Sequence, residues 1–249
     1  MKEKRYYYDG ELHENTTIVL DGEEFHHLTN VMRSRQNDKI CLFNGDGNFY
    51  FATIDSISKK SANIHIDRKE TSSNEPIVNL TVYQALAKGD KLSLVMQKIT
   101  EIGASKLRLF ESDFTDVKSN THKQERMQSV SVSAAKQCGR ATIVKTEGIF
   151  SIKEVAEQIP EFDAFFVAYE NEDGHTLVSS LLGKNYKNVA IMIGAEGGFS
   201  AKEIDLLKSK GADIVSLGKR ILRTETASIV TAGVIMQILE ESVWKKYQL

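Results

Sequence analysis

Two stretches concentrate the residue types that could do chemistry: Gly194-Ala195-Glu196-Gly197-Gly198-Phe199-Ser200, and the run from Leu217 through Gly218, Lys219, Arg220, Ile221, Leu222, Arg223, Thr224, Glu225 and Thr226 to Ala227. In the first, three glycines within five residues let the backbone approach a ligand with no Cβ atoms in the way. A helix starting after Ser200 would add unpaired N–H groups, so the loop suits an acceptor-rich ligand, although the same glycines would also make a plain tight turn. A P-loop needs Lys and then Ser or Thr after its last Gly, where this chain has Phe199 and Ser200. A dinucleotide fingerprint normally follows the first strand of its fold, so both of those ligands are disfavoured. The second stretch sets Lys219, Arg220, Arg223, Thr224, Glu225 and Thr226 between an apolar strand and an apolar helix. Charge beside a core points to function; the plainer alternative is a helix capped by Thr224 or Thr226, with solvated cations.

Other side chains could hold a nucleic acid. From Lys88 to Lys145 the cations Lys88, Lys91, Lys98, Lys106, Arg108, Lys118, Lys123, Arg126, Lys136, Arg140 and Lys145 outnumber the acids, which predicts a basic face. Arg5 beside Tyr6, Tyr7 and Tyr8, and Arg33 with Arg35, supply cations and rings suited to RNA phosphates and unstacked bases, or else a solvated surface over strand aromatics. His26 and His27 are adjacent and point apart on a helix, so no metal site is expected. Cys41 and Cys138 lack C-x-x-C spacing, which supports neither a disulfide framework nor a zinc ribbon and fits a reducing cytosol.

The elements that must position these residues follow from composition and period. The 249 residues are 41% hydrophobic and 27% charged, with 2 prolines and a net charge of -2 from 32 basic and 34 acidic side chains. That make-up describes a globular chain of one large or two modest domains, not a general polyanion binder. Neither a signal-peptide-like segment nor a run of eighteen apolar residues occurs, so an exported or membrane-spanning protein is not expected. The polar stretch Glu70 to Pro76 marks a domain boundary, giving a small β-barrel over 1–73 and an α/β domain over 74–249. In the first, Thr16–Leu20, Lys39–Phe43, Asn48–Ile57 and Ala62–Asp67 read as strands, with one helix to about Arg33 capped by Asp21 and Glu24. In the second, strand and helix alternate: Asn79–Ala85, Lys91–Ile102, Leu107–Phe110, Gln124–Cys138, Phe162–Tyr169, Thr176–Leu182, Val189–Ile193 and Ile214–Leu217 predict a parallel sheet covered by helices. Both chemically dense loops fall at strand carboxyl ends, where open α/β sheets bind ligands. The last helix, Ala227 to about Trp244, is apolar or small around most of its circumference, which suits either a central core helix or a subunit interface.

The chain resembles RsmE-type 16S ribosomal RNA uridine-N3 methyltransferases of the SPOUT superfamily. The likeness rests on His26-His27-Leu28 through Arg33, Lys88-Gly89-Asp90-Lys91 through Gly103, Gln137-Cys138-Gly139-Arg140, Ile193 to Ser200, and Leu217 to Ala227, present together and in order. It implies a PUA-like RNA-holding barrel, a SPOUT α/β domain with a deep trefoil knot, and a homodimer formed through the last helix. It also implies S-adenosylmethionine held by Ile193, Gly194, Glu196, Gly197, Gly198, Leu217, Gly218, Ile221, Leu222 and Thr226. Ala195 stands where the family usually has Pro, and Ile143 after Arg140 where Pro is common. Ala195 restores a backbone N–H and frees φ, so a more mobile loop is expected. Glu111-Ser112-Asp113-Phe114 replaces a more basic segment.

On this resemblance, methylating uridine N3 requires removal of the imide proton. Arg223 would stabilise the uridinate oxygens or a phosphate, while Glu196 or Glu225 orders the loop or accepts the proton. Arg5, Arg33, Lys88, Lys91, Arg140 and Arg220 would contact RNA. The alternatives are a SPOUT enzyme acting on another RNA and a non-catalytic ribosome-assembly factor. Residues 1–74 carry 10 basic and 12 acidic side chains, leaving 22 of each beyond, so selective RNA binding would need a locally concentrated patch built by a dimer and a structured substrate.

Overall fold

The computed structural model describes residues 4–115 and 121–247, with side chains described for all of these except 121–125 and 242–247. Lys118 of the expected basic face lies outside the described residues, as do the side chains of Lys123 and Trp244. The chain forms two compact units, residues 1–75 with 135–143, and residues 76–134 with 144–249.

The first unit is a five-stranded sheet in the order β1-β3-β4-β5-β2, built from β1 (Arg5–Tyr7), β2 (Thr17–Leu20), β3 (Lys39–Phe43), β4 (Asn48–Ile57) and β5 (Ala62–Thr71). Alternating residues such as Ile40, Leu42, Tyr50, Ala52, Ile54, Ile64 and Ile66 close over its core. The expected helix to Arg33 is interrupted: α1 (Gly22–His26) passes into a π-helical turn over His27–Val31, and Asp21 makes no side-chain cap. Glu24 is occupied elsewhere, accepting from Lys136 Nζ at 2.7 Å, so the capping box does not form.

Residues 135–143, expected in the second domain, belong to the first unit because Glu75 collects them. Its carboxylate accepts from Arg140 Nε at 3.1 Å, from the Ala141 and Thr142 N–H groups at 2.7 and 3.1 Å, and from Thr142 Oγ1 at 2.5 Å. Burial pushes the Glu75 carboxyl up, but these hydrogen bonds and the Arg140 charge together hold it below the usual carboxylate range. Arg140, expected to grip RNA, is only 6% exposed and committed to this pair; that expectation is corrected.

The second unit is a six-stranded, wholly parallel sheet in the order β11-β9-β10-β6-β7-β8. Its strands are β6 (Asn79–Ala85), β7 (Lys106–Glu111), β8 (Lys145–Ser151), β9 (Ala164–Ala168), β10 (Asn188–Ile193) and β11 (Asp213–Val215). The period of two splits them between two cores. Leu80 and Val82 of β6, and Val189, Ile191 and Ile193 of β10, face α2 (Lys91–Ile102), α5 (Leu177–Leu181) and α7 (Thr224–Tyr247). Tyr83, Ala85, Ala190 and Met192 face α4 (Ile152–Gln158) and α6 (Ala201–Ser209). The remaining helix, α3, runs over Thr121–Cys138. Gly103 ends α2 at φ +111°, and Ser151 and Ser200 form capping boxes with Glu154 and Glu203. One side of α7 buries Ala232, Ile235, Met236 and Leu239, whereas Val230 is 45% exposed, so this helix is a core element on one side only.

Candidate active site

The loops after β9, β10 and β11 converge with the first turn of α7 around a cavity of about 1030 Å³ at the carboxyl ends of the strands. The glycine-rich loop forms its floor. It doubles back through the Gly198 N–H, which donates to the Ala195 carbonyl at 3.0 Å, with Gly198 at φ +69°. A Cβ at Gly194 would come within 3.1 Å of the Gly198 backbone, so any other residue there would force the turn to shift by a few tenths of an ångström.

A buried polar clasp ties this loop to α7. Thr224 Oγ1 donates to the Gly194 carbonyl at 2.7 Å and accepts from Gln84 Nε2 at 2.9 Å, while Ser228 Oγ donates to Gln84 Oε1. Gln84 and Ser228 are fully buried and Thr224 nearly so. Neither Thr224 nor Thr226 caps the helix: Thr224 is its first residue, and the Arg223 carbonyl accepts the opening bond from the Ala227 N–H at 2.8 Å.

Beside the cavity, Lys91 Nζ lies 2.5 Å from Glu196 Oε1. The hydrogen bond from Lys91 outweighs partial burial and, with the Lys91 charge and backbone N–H groups of Glu196 and Lys88, holds the Glu196 carboxyl below its usual range. Glu196 is therefore an engaged anion that fastens the loop. Glu225, in the first turn of α7, has its Oε2 buried without a partner among the described residues, and does not border the cavity.

Ile193, Gly194, Glu196, Gly197, Gly198, Leu217, Gly218, Ile221 and Leu222 all border the cavity, with Lys91, Arg220 and Arg223 at its edge. Thr226 does not; it is exposed, and of the two threonines that open α7 it is Thr224 that borders the cavity. Lys88 borders a neighbouring cleft. Arg5 and Arg33 belong to the first unit, Arg5 over the Phe49 ring at 5.2 Å and Arg33 exposed at φ +50°. Sequence reading missed the third wall, Tyr169 to Gly174, where Glu170, Glu172 and Asp173 offer carboxylates. Three acids in four residues after a strand were the available signal. The glycine floor, the backbone groups of three loops and these carboxylates fit a ligand with hydroxyl and ammonium donors as well as ring acceptors, and the volume admits a nucleoside of that kind.

A doubly covered parallel sheet carrying such a cradle, with a small separate β unit before it, defines an α/β protein that binds a nucleoside-type ligand at its strand ends. Residues 73–236 match the RNA methyltransferase domain and residues 20–67 the RNA methyltransferase PUA domain. The chain belongs to the RNA methyltransferase family. It is 30% identical over 236 residues to ribosomal RNA small subunit methyltransferase E of Bacillus subtilis, covering 90% of this chain and 91% of that one. The corresponding protein of Rickettsia conorii is 30% identical over 232 residues, covering 92% and 93%. The crystal structure of ribosomal RNA small subunit methyltransferase E from Neisseria gonorrhoeae bound to S-adenosyl methionine superposes with a TM-score of 0.86 at 28% identity, covering 95% of this chain and 98% of that chain. The putative methyltransferase from Legionella pneumophila in complex with the same cofactor also gives 0.86, at 27% identity and the same coverage.

Proposed function

We propose that this protein transfers the methyl group of S-adenosylmethionine to N3 of a uridine in 16S ribosomal RNA of the small ribosomal subunit. The observation that carries the reading is the glycine-floored cavity where the loops after β9, β10 and β11 meet, in a chain of this family. The relatives named for small-subunit ribosomal RNA support the substrate, and the two cofactor-bound structures support the donor. The choice of uridine N3 rests on the sequence resemblance.

When bound, S-adenosylmethionine supplies a methyl group already activated by its sulfonium. The protein has to hold donor and acceptor in line and remove the imide proton. Backbone groups of Gly194 to Gly198 and Leu217 to Leu222 hold the cofactor, and the acids of the Tyr169 to Gly174 loop meet its hydroxyls or ammonium. Arg223, exposed at the cavity edge, stabilises the uridinate oxygens or an adjacent phosphate. Glu196, held by Lys91, orders the loop, and it is the one of the two expected acids that borders the cavity.

The reading includes the trefoil knot and a homodimer. Exposed Leu94 on α2, Val178 on α5, Leu182 just after it and Val230 on α7 support the dimer, since α2 and α5 each pack on α7 and leave apolar side chains uncovered. The bacterial cytosol is the place of work that this substrate implies; among the described residues no helix is long and apolar enough to cross a membrane. Mass spectrometry of small-subunit RNA from cells lacking the protein tests the function, because 3-methyluridine persisting there would overturn it. Arg223→Ala should abolish tritium transfer to RNA while calorimetric cofactor binding survives; loss of binding would reassign Arg223 to loop structure.

A further inference from the structure

A second cleft, of about 580 Å³, is lined by Lys88, Lys91, Asp113, Phe114, Glu196 and Gly197. It lies at the carboxyl ends of β6, β7 and β10, and shares Lys91, Glu196 and Gly197 with the larger cavity. The ion-paired Lys91 and Glu196 thus stand in the wall common to both. A group-transfer site needs two compartments meeting at such a wall, one for the donor and one for the acceptor.

Phe114 is the unusual feature of the second compartment. It is 49% exposed, yet sits on an anchored turn. The Ser112 N–H donates to Thr115 Oγ1 at 2.9 Å, the Asp113 N–H to buried Glu203 Oε1 at 2.8 Å, and Ser200 Oγ to Asp113 Oδ2 at 2.6 Å. Glu203 and Ser200 are also the capping box of α6, so the two residues that start that helix fix the turn beside the glycine-rich loop through their further hydrogen bonds to Asp113. Gly197 makes the approach possible, because a Cβ there would lie 2.8 Å from Phe114 Cβ. An aromatic ring held half in water by a hydrogen-bonded turn, with lysines lining the same cleft, matches a platform for an unstacked base with its phosphate nearby.

We propose that this cleft receives the target pyrimidine, extruded from the RNA, with the Phe114 ring as its stacking face and Lys88 toward the backbone phosphate. This assignment rests on the methyl-transfer reading and adds the acceptor compartment to it. It gives Phe114 a role in RNA recognition where the sequence offers no cation.

The test uses the full chain, tritiated S-adenosylmethionine and small ribosomal subunits from cells lacking the protein, under single-turnover conditions. Phe114→Ala should slow transfer by roughly 5- to 100-fold, the range expected from one lost base stack. Phe114→Leu should stay slow, Phe114→Tyr should recover, and calorimetric cofactor affinity and the mass of the assembly should not change in any of them. A Leu variant as fast as wild type would reduce the ring to an apolar plug and overturn the assignment. So would an unaffected Ala variant, a parallel loss of cofactor affinity, or a change of assembly mass. Wild-type protein that transfers no methyl group would overturn the function itself and this assignment with it, whereas active wild type with an unaffected Ala variant removes only the assignment.

Discussion

Thr224→Val isolates the clasp that joins the glycine-rich loop to α7. The substitution keeps the shape of a buried β-branched side chain and removes only its hydroxyl. Two groups lose a partner: the Gly194 carbonyl, which accepted at 2.7 Å, and Gln84 Nε2, which donated at 2.9 Å. A buried polar group left unpaired costs about 1–3 kcal/mol. Gln84 keeps its bond to the Ala85 carbonyl at 3.1 Å and the one from Ser228, so the sum should fall near 2–4 kcal/mol. Urea unfolding followed by far-UV circular dichroism reads this loss, and Thr224→Ser should recover most of it. Because Thr224 and Ser228 share Gln84, a double-mutant cycle with Ser228→Ala should give a coupling of about 0.5–3 kcal/mol. Cofactor affinity should fall with stability, since the clasp holds one wall of the cavity to its floor. A Thr224→Val protein within about 0.5 kcal/mol of wild type would refute the reasoning, because that is the range of an inconsequential surface change.

Arg140→Ala should destabilise the first unit by about 2–4 kcal/mol, somewhat less than a fully buried pair, because Glu75 keeps Thr142 and two N–H donors; RNA affinity of the folded protein should be unchanged. If RNA affinity drops while the melting temperature stays put, the pair is not structural. The Glu196 carboxyl is depressed, so the loop fastening is fully present above its ordinary value of 4.5 and is lost as pH falls through the lower folded-state value. Acid titration of cofactor affinity should show this loss in wild type and not in Glu196→Gln; parallel curves would remove the ion pair from the account. In the proposed dimer, Val230→Asp places a charge on the exposed side of α7 and should halve the sedimenting mass; an unchanged mass would remove this side of α7 from the proposed interface.

Local signals in the chain were legible wherever one element decides them. The capping boxes at Ser151 and Ser200, the stop at Gly103 and the alternation of β6 and β10 all follow from neighbours a few residues apart. The glycine-rich loop was legible for the same reason, being a short backbone device at a strand end. What misled was any side chain with two available partners. Glu24 looked like a cap for α1 and instead meets Lys136, more than a hundred residues away; Arg140 looked like an RNA contact and instead meets Glu75. Thr224 and Thr226 were equal as caps on paper, and only the burial of one of them separates their roles.

By itself, the sequence determined the alternating α/β architecture, the positions of two of the three ligand loops and the family, because period, turn chemistry and motif order are properties of the chain read in one dimension. The tertiary structure alone decided which charges are spent inside the protein and which face a ligand. It also brought Gln84 to Thr224 and Phe114 to Gly197, and showed that the acids after β9 close the cavity. The physical reason is that a hydrogen bond or ion pair is made with whatever lies within about 3 Å, and the parallel sheet makes neighbours of strand ends that the sequence keeps far apart.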